Sequence, residues 1–124
     1  MKTRHFPGLL DSCVPETNRS VSTSFARIAV VNRGEPAVRF LRALRDYNRE
    51  RGSSLTSVAL YTEPDRTAPF LRLADDAVPL GPALHPGPAG GMVSAYTDHE
   101  RVIAALTSAG CDAVWPGWGF IAED

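Results

Sequence analysis

The sequence predicts an α/β fold of the doubly wound kind, in which helices cover both faces of a parallel sheet. Short apolar runs alternate with segments of helical periodicity, and the connections between the runs are too long for hairpins. RIAVV and SVALY are two such runs, each too short for a helix and typical of strands buried on both faces. The order strand, helix, strand, short helix, strand, helix, strand favours parallel strands joined by right-handed crossovers.

The first half of this pattern begins at Arg27. The strand RIAVV leads through the turn NRGE into an amphipathic helix, and Pro36 suits the first helical turn because its missing amide hydrogen is not needed there. Apolar residues fall at helical spacing along PAVRFLRALRDYNRE, and Gly52 ends the helix. The strand SVALY follows and stops at the turn TEPD.

The second half repeats the alternation with shorter elements. A short helix is predicted over 68–74, AVPL is the third strand, and the Pro- and Gly-rich GPALHPGPAGG is predicted to be an irregular surface excursion. Thr97 is predicted to cap the next helix in a capping box with Glu100, and Gly110 to end it. DAVW then forms the fourth strand and PGWGF a loop.

Composition limits the classes of function. With 124 residues, 44% apolar and 22% charged, the chain fits one domain over 25–124, preceded by a flexible lead-in over 1–24. A net charge of -1 gives no reason to expect a nucleic acid or an anionic membrane as partner. No apolar run is long enough for a signal peptide or a membrane span, so we expect a cytoplasmic protein. Cys13 and Cys111 are expected to act as small apolar residues.

Ligands of such folds meet the loops at the carboxyl ends of the strands, here NRGEP, TEPD, LGPAL and PGWGF. The first of these offers helix N-terminal amides and a cation to an anion, through Asn32, Arg33, Gly34 and Glu35. One hypothesis is therefore a small stand-alone nucleotide- or anion-binding module without catalysis. The sequence has no G-x-G-x-x-G string and no P-loop, and its only lysine is Lys2, which weakens that hypothesis.

The sequence contains no convincing catalytic or metal-binding group. Ser24, His85 and Asp98 do not lie on a strand-turn-helix elbow, so they do not predict a catalytic triad. His5, His85 and His99 lack metal-ligand spacing, and each is expected to be a solvated surface residue.

Charged residues of the first helix allow two interpretations. Arg39, Arg42 and Arg49, with Asp46 among them, are typical of a solvated helix face. Arg42 and Asp46 are also one turn apart, where they can pair within the helix or exchange partners across a two-fold interface. Composition does not choose between these interpretations.

Four ordered stretches carry a family resemblance from Arg27 to the C-terminus. They are IAVVNRGEPAVRFLRAL, VALYTEPDRTAPFLRLADDAVPLGP, AYTDHERVIAAL and DAVWPGWGFIAED. Together they resemble the N-terminal domain of biotin carboxylase, the ATP-dependent component of acetyl-CoA, propionyl-CoA and pyruvate carboxylases. The resemblance implies a Rossmann-like domain that precedes an ATP-grasp unit.

This resemblance implies a function for a larger enzyme. Biotin carboxylase uses MgATP and bicarbonate to carboxylate biotin carried on a biotin carboxyl carrier domain, so biotin, ATP and Mg²⁺ are expected for the full enzyme. The family's ATP-clasping lysines, metal-binding glutamates and catalytic bases belong to the remaining ATP-grasp domains. We therefore expect this chain to be incomplete at its C-terminus, to contain no catalytic residue or metal site, to bind none of these cofactors alone and to be inactive alone.

The resemblance also implies roles for individual residues. Gly117 and Gly119 allow a tight turn facing the substrate cleft, Trp118 replaces an aromatic residue near the biotin pocket, and Phe120 belongs to the same substrate-cleft loop. The alternative is that Trp115 and Trp118 both pack the domain edge.

By the same resemblance, Arg39, Arg42 and Asp46 lie at the dimer contact of bacterial biotin carboxylases. Pro36, the two tryptophans and the long stretches RDYNRERGSSL and HPGPAGGM depart from the bacterial stand-alone pattern. The tryptophans and the long stretches are more similar to large single-chain acyl-CoA carboxylases.

Overall fold

The computed structural model describes residues 24–124, so the predicted lead-in over 1–24 lies almost entirely outside the described residues. Within them, one sheet is built from four parallel strands: β1 (Arg27–Val30), β2 (Thr56–Thr62), β3 (Asp76–Gly81) and β6 (Ala113–Trp115). Their order across the sheet is β3-β2-β1-β6. Strand β1 lies in the middle, with Ala29 beside Val58 of β2 and Val114 of β6.

Helices cover both faces of the sheet, so the predicted doubly wound α/β fold is confirmed. Helix α1 (Gly34–Arg51) and the short helix α2 (Pro69–Leu73) pack on one face, and helix α3 (His99–Ser108) packs on the other. The two faces have separate cores because alternate residues of a strand point in opposite directions. Val30 and Phe70 belong to the first core, whereas Val31 and Val102 belong to the second.

Helix α1 begins and ends where its sequence indicates. Pro36 lies in the first turn, and Ala37, Leu41 and Leu44 are buried on the side that faces the sheet. Gly52 follows the last turn with φ of 62°, a left-handed conformation that glycine adopts without the steric penalty of a side chain.

The stretch after β3 was predicted to be irregular, and this prediction is wrong. Strands β4 (Leu84–Pro86) and β5 (Met92–Ser94) form an antiparallel hairpin. The Gly87 amide donates to Gly91 O at 2.7 Å, and Gly90 turns the chain with φ of 87°. The proline and glycine residues led to the prediction of an irregular loop, but they form the tight turn between the two strands.

The capping prediction for α3 is wrong by one residue. Asp98 is the N-cap, and its Oδ1 accepts a hydrogen bond from the Arg101 amide at 3.1 Å. Thr97 belongs instead to a preceding 3-10 turn, Ala95–Thr97, and its hydroxyl donates to Ser94 O. An aspartate caps a helix as well as a threonine does, so the local sequence allowed either position. Gly110 follows the helix with φ of 66°, as predicted for its end.

Candidate functional site

The carboxyl ends of the parallel strands meet at one edge, where a cleft of about 280 Å³ opens. We call it the strand-end cleft. Residues from the loops after β1 and β2, from the hairpin, from the turn before α3 and from the C-terminal segment line it: Arg33, Thr62, Pro64, Asp65, Ala83, Leu84, Ser94, Tyr96 and Phe120. The loops that sequence analysis singled out by position therefore contribute to one cavity.

Arg33 and Asp65 form a two-pronged ion pair on one wall of this cleft. The Arg33 Nε and Nη2 atoms donate to the two Asp65 carboxylate oxygens at 2.5 and 2.7 Å. The Asp65 side chain is only 10% exposed, and the Arg33 side chain is 48% exposed. This hydrogen bonding raises the pKa of Arg33. The cation expected to attract an anion at the start of α1 is thus already compensated by a carboxylate.

Asn32 joins the loop after β1 to the loop after β6. It is 1% exposed, and its Nδ2 donates to Pro116 O and to Trp118 O, both at 2.9 Å. Its Oδ1 accepts from the Arg33 amide at 2.8 Å. The other two residues of the predicted anion-binding turn belong to helix α1. Gly34 is its first residue, and Glu35 pairs with Arg39 on the exposed surface of the helix.

Residues 116–120 form what we call the aromatic loop, and its backbone repeatedly enters the left-handed region. The φ angles of Gly117, Gly119 and Phe120 are 64°, 73° and 49°. Glycine adopts these values readily, whereas a bulky residue such as Phe120 does so at a steric cost. The two glycines let the chain turn sharply here, and Phe120 lies at the strand-end cleft.

The two tryptophans of the C-terminal segment have different environments. Trp115 is half-buried and stacks on Phe40 of α1, with 4.3 Å between ring centroids and 13° between ring planes. Trp118 is 54% exposed, and its ring lies at 79° to the Trp115 ring, with 6.4 Å between ring centroids. Trp115 therefore packs the domain edge, while more than half of the Trp118 surface is open to a ligand or a neighbouring domain.

Tyr96 forms the floor of the strand-end cleft. It is 2% exposed, its hydroxyl donates to Leu60 O at 3.0 Å, and its ring lies 5.1 Å from that of Phe120. Burial raises the pKa of Tyr96 well above its ordinary value, so the hydroxyl keeps its proton. Tyr96 and the pairing role of Asp65 were not predicted from the sequence, because each acts through a contact more than thirty residues away in the chain.

His85 is not the solvated surface residue that the sequence suggested. Its side chain is 16% exposed, and Nε2 lies 3.0 Å from Asp98 Oδ2 without the alignment of a hydrogen bond. The hairpin places His85 against the start of α3, a contact that local sequence does not reveal. His99 is exposed, as predicted, and lies 2.9 Å from Asp124. His5 lies outside the described residues.

The charged face of α1 is exposed and largely paired within the helix. Arg39 contacts Glu35 at 2.6 Å, and Asp46 contacts Arg49 at 2.7 Å. Arg42 is exposed, and Asp46 pairs with Arg49 rather than with Arg42. Such exposed pairs contribute little to stability, so this face is free to exchange partners.

Residues 24–124 lack two features, a helix that could cross a membrane and a cluster that could bind a metal ion. Among residues 24–124, no helix combines the length and the apolar character needed to cross a bilayer. The same residues hold no group of three or more histidine, cysteine, aspartate or glutamate side chains placed to bind a metal ion.

Curated relatives match most of the chain. The chain is 43% identical over 105 residues to the biotin-dependent acyl-coenzyme A carboxylase alpha3 subunit of Mycobacterium leprae, a match that covers 83% of the chain and 15% of the relative. It is 36% identical over 99 residues to pyruvate carboxylase 1 of Caenorhabditis elegans, covering 80% of the chain and 7% of that relative. The chain thus spans less than a fifth of the length of either relative.

Solved structures and a family model agree with these relatives. Biotin carboxylase from Campylobacter jejuni, in a complex with β-γ-ATP, is 31% identical, with a TM-score of 0.62 over 82% of this chain and 20% of that chain. A single-chain, multi-domain long-chain acyl-CoA carboxylase is 32% identical, with a TM-score of 0.61 over 80% of this chain and 8% of that one. The family model of the biotin carboxylase N-terminal domain matches residues 24–124. The chain belongs to the family of biotin carboxylase N-terminal domains.

Proposed function

We propose that residues 24–124 supply one wall of the cleft in which a biotin carboxylase carboxylates biotin with MgATP and bicarbonate. The observation that carries this proposal is the 54% exposure of Trp118 on a constrained loop at the carboxyl edge of the sheet. Ligands of doubly wound folds bind at this edge. A large aromatic ring that is more than half exposed there has a surface available for binding.

The chemistry of the wall suits an uncharged ring system. Trp118 is 54% exposed and Phe120 37% exposed, and Tyr96, whose ring contacts that of Phe120, keeps its proton. Aromatic faces bind flat or apolar groups by stacking and by exclusion of water. The neutral bicyclic ring of biotin matches this surface better than a phosphate does.

The described residues do not fit MgATP. They include no lysine, the Arg33 guanidinium is paired with Asp65, and no metal-binding group lies among them. We therefore assign the phosphate contacts, the Mg²⁺ ligands and the catalytic bases of the whole enzyme to ATP-grasp domains outside these residues. Within the enzyme, the partners of this wall are those domains and a biotin carboxyl carrier domain.

We further propose that the enzyme is an acyl-CoA carboxylase. The relative from Mycobacterium leprae, 43% identical, is named as part of a biotin-dependent acyl-coenzyme A carboxylase, and a single-chain acyl-CoA carboxylase is among the similar structures. The acyl group, acetyl, propionyl or longer, is selected by a different active site. We place the enzyme in the cytoplasm, where ATP and bicarbonate are available.

The exposed face of α1 is our candidate for a contact between two copies of the enzyme. Arg39, Arg42 and Asp46 are all exposed on this face, and both signs of charge are present. A two-fold axis brings the same surface together from both copies, so opposite charges on one face can pair across it.

A chimera tests the proposed function. Residues 24–124 would replace the matching segment of the Mycobacterium leprae protein, and biotin-dependent ATP hydrolysis would be measured with free biotin. We expect activity to be retained, and Trp118→Ala to raise the KM for biotin about fivefold, as expected for a lost aromatic contact of about 1 kcal/mol. The KM for ATP should not change. Ile103→Ala, which alters an exposed residue of α3, is the control.

Two results would contradict the proposal. One is a folded chimera that lacks biotin-dependent activity, because a wall of the correct family should restore the cleft. The other is a Trp118→Ala variant with the same KM for biotin as the Ile103→Ala control.

A further inference from the structure

Both polar atoms of the Asn32 side chain are hydrogen-bonded at the base of the aromatic loop. Its amide group has two N–H donors, and the carbonyl oxygens of Pro116 and Trp118 accept them at 2.9 Å each. The remaining oxygen accepts from the Arg33 amide. The residue is 1% exposed, so water does not replace a lost partner readily.

Gly117 lies between the two carbonyl groups that Asn32 holds. A Cβ atom at this position would lie 2.8 Å from Asn32 Nδ2 and 2.8 Å from Trp115 Cη2, both closer than side-chain carbons normally approach. The backbone φ of 64° adds a second reason for glycine. Asn32 and Gly117 are thus sterically matched, because the asparagine amide occupies the space that a larger residue would need.

Two other contacts of the aromatic loop are local, because the Gly119 amide donates to the Glu123 carboxylate and the Trp118 ring contacts the Trp115 ring at a steep angle. The Phe120 ring also contacts Tyr96. Asn32 lies more than eighty residues earlier and holds the carbonyl of Trp118 itself. Its hydrogen bonds therefore connect the more exposed of the two tryptophans to the end of the central strand β1.

We propose that Asn32 is a positioning residue for Trp118. Its amide holds the backbone of the aromatic loop in the conformation that presents the Trp118 ring at the strand-end edge, and it acts on a ligand only through that ring. The assignment of biotin as the ligand rests on the proposed function. The control of the Trp118 position by Asn32 rests on the geometry alone.

Asn32→Asp tests this role with little change in size. Aspartate keeps the acceptor for the Arg33 amide but removes both N–H donors and sets a carboxylate against two carbonyl oxygens. Asn48→Asp is the matched control. Asn48 also donates through Nδ2 to a carbonyl, that of Leu55 at 2.8 Å, and also accepts from a backbone amide, but it lies at the other end of α1.

The readout is ¹⁵N NMR of the 124-residue chain, with the two indole N–H signals assigned. We expect Asn32→Asp to move the Trp118 indole signal and the Gly117 and Gly119 amide signals, and to make amide exchange in the aromatic loop about tenfold faster or more. The Trp115 indole signal, fixed by the stack on Phe40, should change little. Asn48→Asp should leave all the loop signals in place.

Gly117→Ala provides a second perturbation if Asn32→Asp does not fold, because its Cβ would lie 2.8 Å from the same Asn32 amide nitrogen, and 2.8 Å from Trp115 Cη2 as well. Unchanged Trp118 indole and Gly119 amide signals in a folded Asn32→Asp or Gly117→Ala protein would overturn the proposal. In the chimera, Asn32→Asp should raise the KM for biotin no further once Trp118→Ala is present. Moved loop signals together with an unchanged KM in Trp118→Ala would support the positioning role and refute the assignment of biotin.

Discussion

Replacing Tyr96 with phenylalanine tests whether the floor of the strand-end cleft is tied to the central sheet. The change removes one oxygen atom and leaves the ring in place. That oxygen is buried, and its hydrogen donates to Leu60 O at 3.0 Å in strand β2. Because burial raises the pKa of Tyr96, the hydroxyl remains a donor at neutral pH.

The expected cost follows from this single bond. A buried hydrogen bond contributes about 1 kcal/mol, and a carbonyl left without its partner adds to the loss, so we expect the free energy of unfolding to fall by about 1 to 2 kcal/mol. For a domain of about 100 residues, this lowers the Tm by roughly 5 to 10 °C. Urea unfolding followed by far-UV circular dichroism measures the difference.

Tyr47→Phe is the control, because Tyr47 is 49% exposed on the outer surface of α1. A substitution at such a surface position changes stability by no more than about 0.5 kcal/mol. Equal urea midpoints for Tyr96→Phe and Tyr47→Phe would refute the reasoning, since the Tyr96 hydroxyl would then contribute nothing beyond an exposed one.

Two further predictions concern the stability of the hydrophobic core and the loss of stability at acidic pH. Phe70 is 1% exposed and joins α2 to the sheet, so Phe70→Ala should lower the free energy of unfolding by about 3 to 5 kcal/mol, as measured in urea. Phe25→Ala, at a 43% exposed position, should cost much less. Equal losses for the two variants would contradict the assignment of the core. Asp112 accepts hydrogen bonds from the Arg27 and Ala26 amides, which lower its pKa, so its contribution is present above an unfolded pKa of about 3.9 and is lost as pH falls through the lower folded value. Asp112→Asn should therefore lower the Tm at pH 7 and reduce the fall of the Tm below about pH 4, and parallel curves of Tm against pH for both proteins would contradict this.

The strands and helices with strong local patterns were predictable from the sequence. Continuous apolar runs identified β1 and β2, and helical spacing with Pro36 and Gly52 at the two ends identified α1. These elements bury their own apolar residues against each other, so local pattern and tertiary packing agree.

The hairpin and the cap of α3 were missed because the local sequence is compatible with more than one conformation. The segment from Leu84 to Ser94 contains proline and glycine residues at densities typical of irregular loops, yet its main chain pairs across a tight turn. Thr97 and Asp98 are adjacent residues that can both cap a helix, and the contact of Asp98 with His85 and Arg101 accompanies the observed choice.

The sequence predicted which loops lie at the site, but it did not predict which side chains the residues of those loops contact. The loop after β1 and the loop after β6 were identified from the order of elements and from family resemblance. The ion pair of Arg33 with Asp65 and the clamp of Asn32 on the aromatic loop join residues far apart in the chain, so no local pattern encodes them. Through these contacts, the turn NRGE connects the loops after β2 and β6, a structural role that the anion-binding interpretation did not include.

In the proposed function, this chain shapes a wall for biotin and other domains supply the phosphate contacts. Isothermal titration calorimetry of the 124-residue chain with MgATP, in the presence of bicarbonate, tests that division most directly. We expect no saturable binding, because Arg33 is paired with Asp65 and the described residues contain no lysine. Stoichiometric binding of MgATP that Arg33→Ala abolishes would contradict the account and would favour a stand-alone nucleotide-binding module.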